Sequence, residues 1–190
     1  MRIVGIDPGV TGAIAWFTNG KLTILEDMPV EASRVNGAEV ARLLRWNVDV
    51  VYLEWTQPMP KNGSIASYSL GLNSGIVIGV VQALGIPLER VRPQVWKKAM
   101  GLTGKPKAAS RGMATELWPD YADQFRRVKD DGRAEAALIA RYGAYENIRE
   151  AMFERADRLV KTMTGGDENE EIASVSDLRG HDRHPSGSVS

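Results

Sequence analysis

The chain contains no cysteine, and its only two histidines, His181 and His184, lie close to its C-terminal end. The absence of cysteine excludes disulfides, thiolate zinc sites and cysteine nucleophiles. Any metal site in the first 180 residues would therefore depend on oxygen ligands.

Long apolar runs are also absent, because the longest are interrupted by Gly, Asn or Gln, and we expect no membrane-spanning segment. The N-terminus enters an apolar strand pattern at once and lacks the layout of a signal peptide. We therefore expect a cytoplasmic protein with no membrane partner. The length of 190 residues and the hydrophobic share of 43% suit one domain with a full core.

The chain also has no net charge, because 24 basic residues balance 24 acidic ones. The charges are nevertheless segregated along the chain. Between Arg90 and Arg111 there are seven cationic residues and no acidic one, which favours binding to phosphates over a merely solvated face. Residues 164–190 are acidic and Ser-rich, and we expect them to form a disordered tail beyond a domain of residues 1–163.

The order of apolar segments predicts an α/β fold with one mixed five-stranded sheet flanked by helices. The predicted strands cover residues 3–7, 13–17, 22–25, 48–54 and 88–91, with Asn19-Gly20 as a hairpin turn. The predicted helices cover residues 37–46, 65–84, a short stretch from Pro93, 107–118 and 131–163.

Acidic residues occupy positions that such a sheet would bring together. Asp7 and Glu54 each end a predicted strand, and Asp131 and Glu135 lie one turn apart on the last helix. Clustered carboxylates repel one another unless a cation compensates their charge. With oxygen ligands alone, the natural compensator is Mg²⁺ or Mn²⁺.

Each acid also has an ordinary structural explanation. Asp7 could be a turn residue beside Pro8-Gly9, and Glu54 could form an ion pair. Asp130 and Asp131 could cap the last helix. The apolar surroundings of Asp7, Glu54 and Glu135 favour a chemical role, whereas capping explains Asp131 equally well.

Four segments, in order, resemble the motifs of RuvC-type Holliday junction resolvases of the ribonuclease H-like superfamily, and look most like those of bacteriophages. They are Gly5-Ile6-Asp7-Pro8-Gly9-Val10-Thr11-Gly12, residues 51–54, residues 92–98 with 104–107, and residues 131–138. The resemblance covers about residues 1 to 145. The bacterial family usually places its penultimate catalytic residue three positions before the last acid, where this chain has Gly132, and the nearest acid, Asp131, lies four before. The family also usually places an aromatic residue a few positions after the second acid.

The resemblance implies a DNA endonuclease that hydrolyses a phosphodiester with two metal ions per active site, Mg²⁺ with Mn²⁺ as a substitute. Asp7, Glu54, Asp131 and Glu135 would be its catalytic metal ligands, with Asp7 bridging the two ions. The implied products carry a 5′-phosphate and a 3′-hydroxyl. No covalent intermediate and no small-molecule cofactor are expected.

Four-way or branched DNA is the implied partner. The candidate DNA-binding residues are Lys61, Arg92, Lys97, Lys98, Lys105, Lys107, Arg111, Trp55 and Met59. Trp55, Met59 and Lys61 could reach the junction centre, although Trp55 could equally be buried. The acidic tail could mimic the charge of DNA or be an inert solvated end.

A homodimer is also expected, because two matched nicks in a two-fold junction need two equivalent sites. An apolar stripe on the helix over residues 65–84 could form the dimer interface, as the matching helix does in the family. Alternatively, the stripe could cover the sheet.

Three other functions compete with a junction resolvase. The first motif also opens the nucleotide-binding fold of actin-like ATPases and sugar kinases, but those proteins need two such lobes and a much longer chain. A broader fork or flap nuclease would use the same acids. A non-catalytic junction-binding protein would gain nothing from acids beside phosphates.

Overall fold

The structure is a computed structural model that describes residues 1–55, 57 and 63–163. The candidate residues Met59 and Lys61 and the predicted tail, 164–190, lie outside the described residues. The chain divides into two compact units, Met1–Ala144 and Tyr145–Ser190. The described part of the second unit is the continuation of the C-terminal helix.

Seven strands and five α-helices make up the described chain. The strands are β1 Arg2–Asp7, β2 Ala13–Thr18, β3 Lys21–Asp27, β4 Val30–Glu31, β5 Arg34–Val35, β6 Val50–Glu54 and β7 Leu88–Val91. The helices are α1 Gly37–Leu44, α2 Ser64–Ala83, α3 Pro93–Ala99, α4 Ala108–Leu117 and α5 Asp131–Met163, with 3₁₀ turns at Pro119–Phe125 and Val128–Asp130.

The main sheet has the strand order β3-β2-β1-β6-β7. β1 pairs antiparallel with β2 and parallel with β6, and β6 pairs parallel with β7. The predicted mixed five-stranded sheet is therefore confirmed. Asn19 and Gly20 both have positive φ, as the predicted two-residue hairpin turn between β2 and β3 requires.

A short hairpin, β4–β5, follows β3 and was not predicted. Ala32 and Ser33 form its turn, and both adopt positive φ angles of 48° and 63°. Neither residue is a usual turn former in that conformation, so the sequence carries no signal for it.

The alternation of side chains along each strand builds one core on each face of the sheet. From β1, Val4 and Ile6 join the core that α1 and α2 cover. Ile3 points to the opposite core, to which α3, α4 and α5 contribute. Asp7 shares the parity of Ile3 and therefore lies on the α5 face.

The N-terminal half of α5 approaches β1 very closely. Ala134, Ala136, Ala137 and Ala140 are fully buried. A Cβ atom at Gly5 would lie 2.3 Å from both the Ala136 carbonyl oxygen and the Ala140 nitrogen. Small residues on both elements are what allow the helix backbone to lie against the strand.

The buried face of α2 carries Asn73, Ser74, Val77, Ile78 and Val81. The predicted apolar stripe lies beside this face and divides along the helix. Near the start of α2, Ile65 and Tyr68 are 84% and 66% exposed, whereas Ile76 and Val80 are partly buried against the core that α1 and α2 cover. The stripe is therefore only partly exposed, and its role as a dimer interface stays a prediction.

Among the described residues, α2 is also the one helix long and apolar enough to cross a membrane by length and composition. The expectation that every apolar segment is too short or too interrupted to span a membrane is therefore wrong for α2. Core helices of soluble proteins pass the same test, so a single helix of this kind is weak support for a membrane span.

The large and small apolar residues that recur at helical spacing along α5 separate into two groups. Ala134, Leu138 and Tyr142 are buried in the first compact unit. Tyr145, Ile148 and Met152, in the second unit, are exposed. Only the first group therefore contributes to the core that holds α5 on the sheet.

The close approach of α5 to β1 leads to a stability prediction. Gly5→Ala is expected to lower the free energy of unfolding by about 3 kcal/mol, because the new methyl group meets backbone atoms that cannot rotate away. Urea denaturation followed by circular dichroism measures this change.

Gly112→Ala, on α4, is the matched control. A Cβ atom there meets nothing within 4 Å, so the helix should gain roughly 0.5–1 kcal/mol. Equal stabilities of the Gly5→Ala variant and the wild type would show that the two backbones are not in contact.

Candidate active site

Two of the predicted acids lie side by side at the carboxyl ends of neighbouring parallel strands. The β1–β6 register places Ile6 beside Leu53, so Asp7 and Glu54 are the next residues along the two strands. Both point to the α5 face, because Glu54 shares the parity of Tyr52, which belongs to the core on that face.

Glu135 of α5 completes a group of three. Its side chain is 18% exposed and lies between the buried Ala134 and Ala136. Burial, then the charges of Glu54 and Glu135, raise the pKa of Asp7 to about 7 from its ordinary 3.8. The Gly9 backbone N–H, which donates to Asp7 over 3.3 Å, and Lys97 act in the opposite direction.

Helix α3 contacts two of these acids through consecutive residues. The indole Nε1 of Trp96 donates a hydrogen bond to Glu54 Oε1 over 2.9 Å. The Nζ of Lys97 lies 2.8 Å from Glu135 Oε1. Trp96 has no exposed surface, so the donor of the first bond is fully buried, and the bond itself is partly buried.

The remaining predicted ligand, Asp131, is held by a different cation. Its Oδ1 accepts a hydrogen bond of 2.7 Å from Arg111 Nε. Arg111 also donates to the backbone carbonyl of Arg126. Asp131 and Arg111 were predicted to bind metal and DNA respectively, and here each is the partner of the other.

Asp130 has a structural role in this arrangement. It is 2% exposed and accepts hydrogen bonds from the Arg127 side chain and backbone. Burial raises the pKa of Asp130, but the bonds from Arg127 outweigh it and hold the pKa below its usual value. Asp130 thus caps the 3₁₀ turn ahead of α5.

Gly132 is explained by steric constraints. A Cβ atom at Gly132 would lie 2.4 Å from the Thr11 carbonyl oxygen and 2.7 Å from Gly12 Cα. The loop after Asp7 therefore packs directly on the first turn of α5. No side chain fits at position 132 without moving that loop.

In the described part of the chain, no three Asp, Glu, His or Cys side chains form a ready-made metal cage. The three carboxylates are nevertheless near enough to shift the pKa of Asp7. Their oxygens are the ligands that Mg²⁺ and Mn²⁺ prefer. The ligand atoms of these residues therefore suit a hard divalent cation. The three carboxylates would have to move closer together when the cation binds.

The basic segment divides into paired and exposed cations. Lys97 and Arg111 are engaged with Glu135 and Asp131. The exposed members are Arg90, Arg92, Lys98, Lys105 and Lys107. Positive φ angles at Gly101 and Gly104 shape the loop that carries Lys105.

Trp55 is partly buried, which agrees with the structural alternative for this residue. It packs against the core on the α1–α2 face, and the Arg90 guanidinium lies 5.0 Å from its ring centre. Its predicted insertion between bases stays a prediction.

Sequence reasoning missed two interactions of this region. Trp96 lies within the basic motif of residues 92–98 but was not predicted to belong to the site, because nothing in a sequence shows where an N–H points. Arg133 also forms a bidentate pair with Asp27, at 2.6 and 2.8 Å, which ties α5 to the end of β3. These two residues are 106 positions apart.

Comparisons with known proteins agree with this architecture. No protein-family model matches the chain. Over 90 residues, or 47% of its length, the chain is 34% identical to the chloroplastic Holliday junction resolvase MOC1 of Chlamydomonas reinhardtii. The match spans only 10% of that protein.

Two solved structures resemble most of this chain. Thermus thermophilus RuvC superimposes with a TM-score of 0.58 at 19% identity, over 77% of this chain and 97% of that one. T. thermophilus RuvC in complex with a Holliday junction substrate gives 0.56 at 20% identity, over 77% and 96%. The chain therefore has the ribonuclease H-like fold of RuvC, as predicted.

The raised pKa of Asp7 leads to a prediction about stability and pH. Above pH 7 the carboxylate is charged in both folded and unfolded protein, so the full cost of burying it is present. As the pH falls from 7 towards 4, the folded protein takes up a proton before the unfolded chain does, and the cost disappears.

Asp7→Asn in chelator is therefore expected to raise the free energy of unfolding by about 2–4 kcal/mol at pH 8. The gain should shrink towards pH 5. Denaturant titrations at several pH values measure this, with the exposed Asp120→Asn as the control for losing one charge. A gain that is the same at pH 8 and pH 5 would contradict the assignment.

Proposed function

We propose that this protein is a metal-dependent DNA endonuclease that cuts four-way junctions. The observation that carries the proposal is the convergence of Asp7, Glu54 and Glu135 on one face of a ribonuclease H-like sheet. Support also comes from the similarity of a 90-residue segment to a Holliday junction resolvase. A third line of support is the similar fold of T. thermophilus RuvC, whose structure is also known in complex with a Holliday junction substrate.

The acids would hold two Mg²⁺ ions, for which Mn²⁺ could substitute. Two-metal hydrolysis supplies an activated water for in-line attack and stabilises the leaving 3′ oxygen, which gives 5′-phosphate and 3′-hydroxyl ends. Asp7 is suited to a bridging position, because both other carboxylates act on it. A cation would relieve the repulsion that raises its pKa.

Asp131 is the fourth proposed ligand. Because Arg111 holds it at 2.7 Å, Asp131 is available to a metal only if this ion pair opens or shares its carboxylate. Opening would free the Arg111 guanidinium for a backbone phosphate. The proposed roles of these two residues are therefore linked.

The basic segment would position the DNA. Arg92, Lys98, Lys105 and Lys107 are exposed, and α3, which carries Lys98, also contacts two of the acids. Lysine and arginine contacts to phosphates place a duplex without reading its sequence, and they make binding strongly salt-dependent. This would bring the DNA backbone next to the carboxylates.

A homodimer through α2 would supply two matched sites. The exposed part of its stripe includes Ile65 and Tyr68, and Gly71, Gly75 and Gly79 have open space where a Cβ would be. Two helices with such a glycine row can approach closely. A bacteriophage origin and a cytoplasmic location stay predictions.

Cleavage of matched DNA substrates tests the proposed activity. With Mg²⁺ or Mn²⁺ the wild type should cut a four-way junction by paired nicks, and chelator should abolish cutting. Asp7→Asn should lower the rate at least about 1,000-fold, or roughly 4 kcal/mol, while junction affinity in gel-shift assays stays intact.

The other substrates separate the competing functions. Equal cutting of fork, flap and four-way DNA would indicate a broader branched-DNA nuclease. Tight junction binding without cutting would indicate a non-catalytic binder. Full cleavage by Asp7→Asn would remove the metal-site hypothesis.

The dimer has its own test. Ile65→Lys places a charge on the exposed stripe of α2 and should convert a dimer into a monomer, as measured by sedimentation equilibrium. Ile148→Lys is the matched control, because Ile148 is 61% exposed on a different helix. A monomeric wild type, or dissociation by Ile148→Lys alone, would exclude α2 as the interface.

A further inference from the structure

The hydrogen bond between Trp96 and Glu54 differs in kind from the contacts of the other acids. Lys97 and Arg111 form ion pairs with Glu135 and Asp131, respectively. The indole N–H of Trp96 is neutral, donates only and does not titrate. It therefore fixes one oxygen of Glu54 without neutralising its charge.

Burial makes this bond persistent. Trp96 has no exposed surface and belongs to the core between the sheet and α5. A buried N–H that loses its acceptor is costly, so the indole holds Glu54 Oε1 in one direction at 2.9 Å. A carboxylate has about four lone-pair sites, and the indole N–H occupies one of them.

The position of Trp96 is itself well determined. It lies in the middle of α3, which begins with Pro93 after the extended residue Arg92. The Met100 backbone N–H donates to the Trp96 carbonyl at the end of the helix. The next residue, Lys97, lies over the Trp96 ring at 5.0 Å and holds Glu135.

We propose that Trp96 is a positioning residue, which orients Glu54 for a divalent cation. The inference rests on the proposed function only in that it assumes Glu54 to be a metal ligand. Trp96 does not touch the reacting atoms and acts through Glu54. Outer donors of this kind typically change metal affinity about 10–100-fold when they are removed.

Trp96→Phe tests the proposal, because it keeps an aromatic ring and removes the N–H. The affinity for Mg²⁺ alone, measured by isothermal titration calorimetry, is expected to fall about 10-fold or more. The Mg²⁺ concentration for half-maximal junction cleavage should rise by a similar factor. The cleavage rate at saturating Mg²⁺ should fall less.

Trp118→Phe is the matched control. Trp118 packs on Phe17 and Phe125 in the same core, and Phe17 pairs with Ile3 at the end of the sheet away from Asp7. This variant should lower the melting temperature without changing the Mg²⁺ affinity. The same pattern in Trp96→Phe, a loss of stability at unchanged Mg²⁺ affinity, would overturn the proposal.

A double-mutant cycle shows whether Trp96 acts through Glu54. Trp96→Phe should cost Mg²⁺ affinity in the wild-type background and nothing further in the Glu54→Gln background. Additive losses would mean that Trp96 acts by another route and would also overturn the proposal.

A spectroscopic readout separates this proposal from the proposed function. The indole ¹H–¹⁵N resonance that disappears in Trp96→Phe should shift when Mg²⁺ is added to the wild type, and should not shift in Glu54→Gln. A responsive resonance in a protein that cuts no DNA would support the positioning role and refute the nuclease. A resonance that does not respond to Mg²⁺ in a protein that cuts junctions would support the nuclease and overturn the positioning role of Trp96.

Discussion

The contact on which the candidate site depends is the backbone-to-backbone approach of α5 to β1. Gly5 leaves room for the Ala136 and Ala140 backbones, and this distance sets how close Glu135 comes to Asp7. Gly132 repeats the arrangement one turn earlier, against Thr11 and Gly12. A larger side chain at any of these positions would separate the acids as well as the two elements, so packing and electrostatics are coupled here.

The close packing has an electrostatic cost that the surrounding residues partly offset. Burial and two neighbouring carboxylates raise the pKa of Asp7 to about 7. Around it, Lys97 contacts Glu135, Arg111 contacts Asp131 and the Trp96 indole donates to Glu54. Chemically similar acids therefore have different contacts. The same short helix, α3, supplies two of the three partners and continues into the basic segment.

Much of the fold was predictable because its signals are local. Apolar runs, the Asn19-Gly20 turn and the end of each strand gave the order of elements and the mixed sheet of β3-β2-β1-β6-β7. The β4–β5 hairpin was missed, because Ala32 and Ser33 adopt a turn conformation that their residue types do not favour. The apolar stripe on α2 was recognised, but which of its residues would be buried was not, because Ile76 and Val80 pack against the core while Ile65 and Tyr68 are exposed.

The sequence by itself indicated that Asp7, Glu54 and Glu135 would meet, but it did not separate Asp131 from them. Strand parity puts Asp7 and Glu54 on one face, and the i, i+4 spacing puts Asp131 and Glu135 on one side of α5. Only the tertiary structure decided the partner of each acid, because Trp96 is 42 positions from Glu54, and Arg111 is 20 from Asp131. Hydrogen bonds between such distant residues depend on how whole elements pack. That packing arises from the sum of many small contacts, which no local pattern in the sequence records.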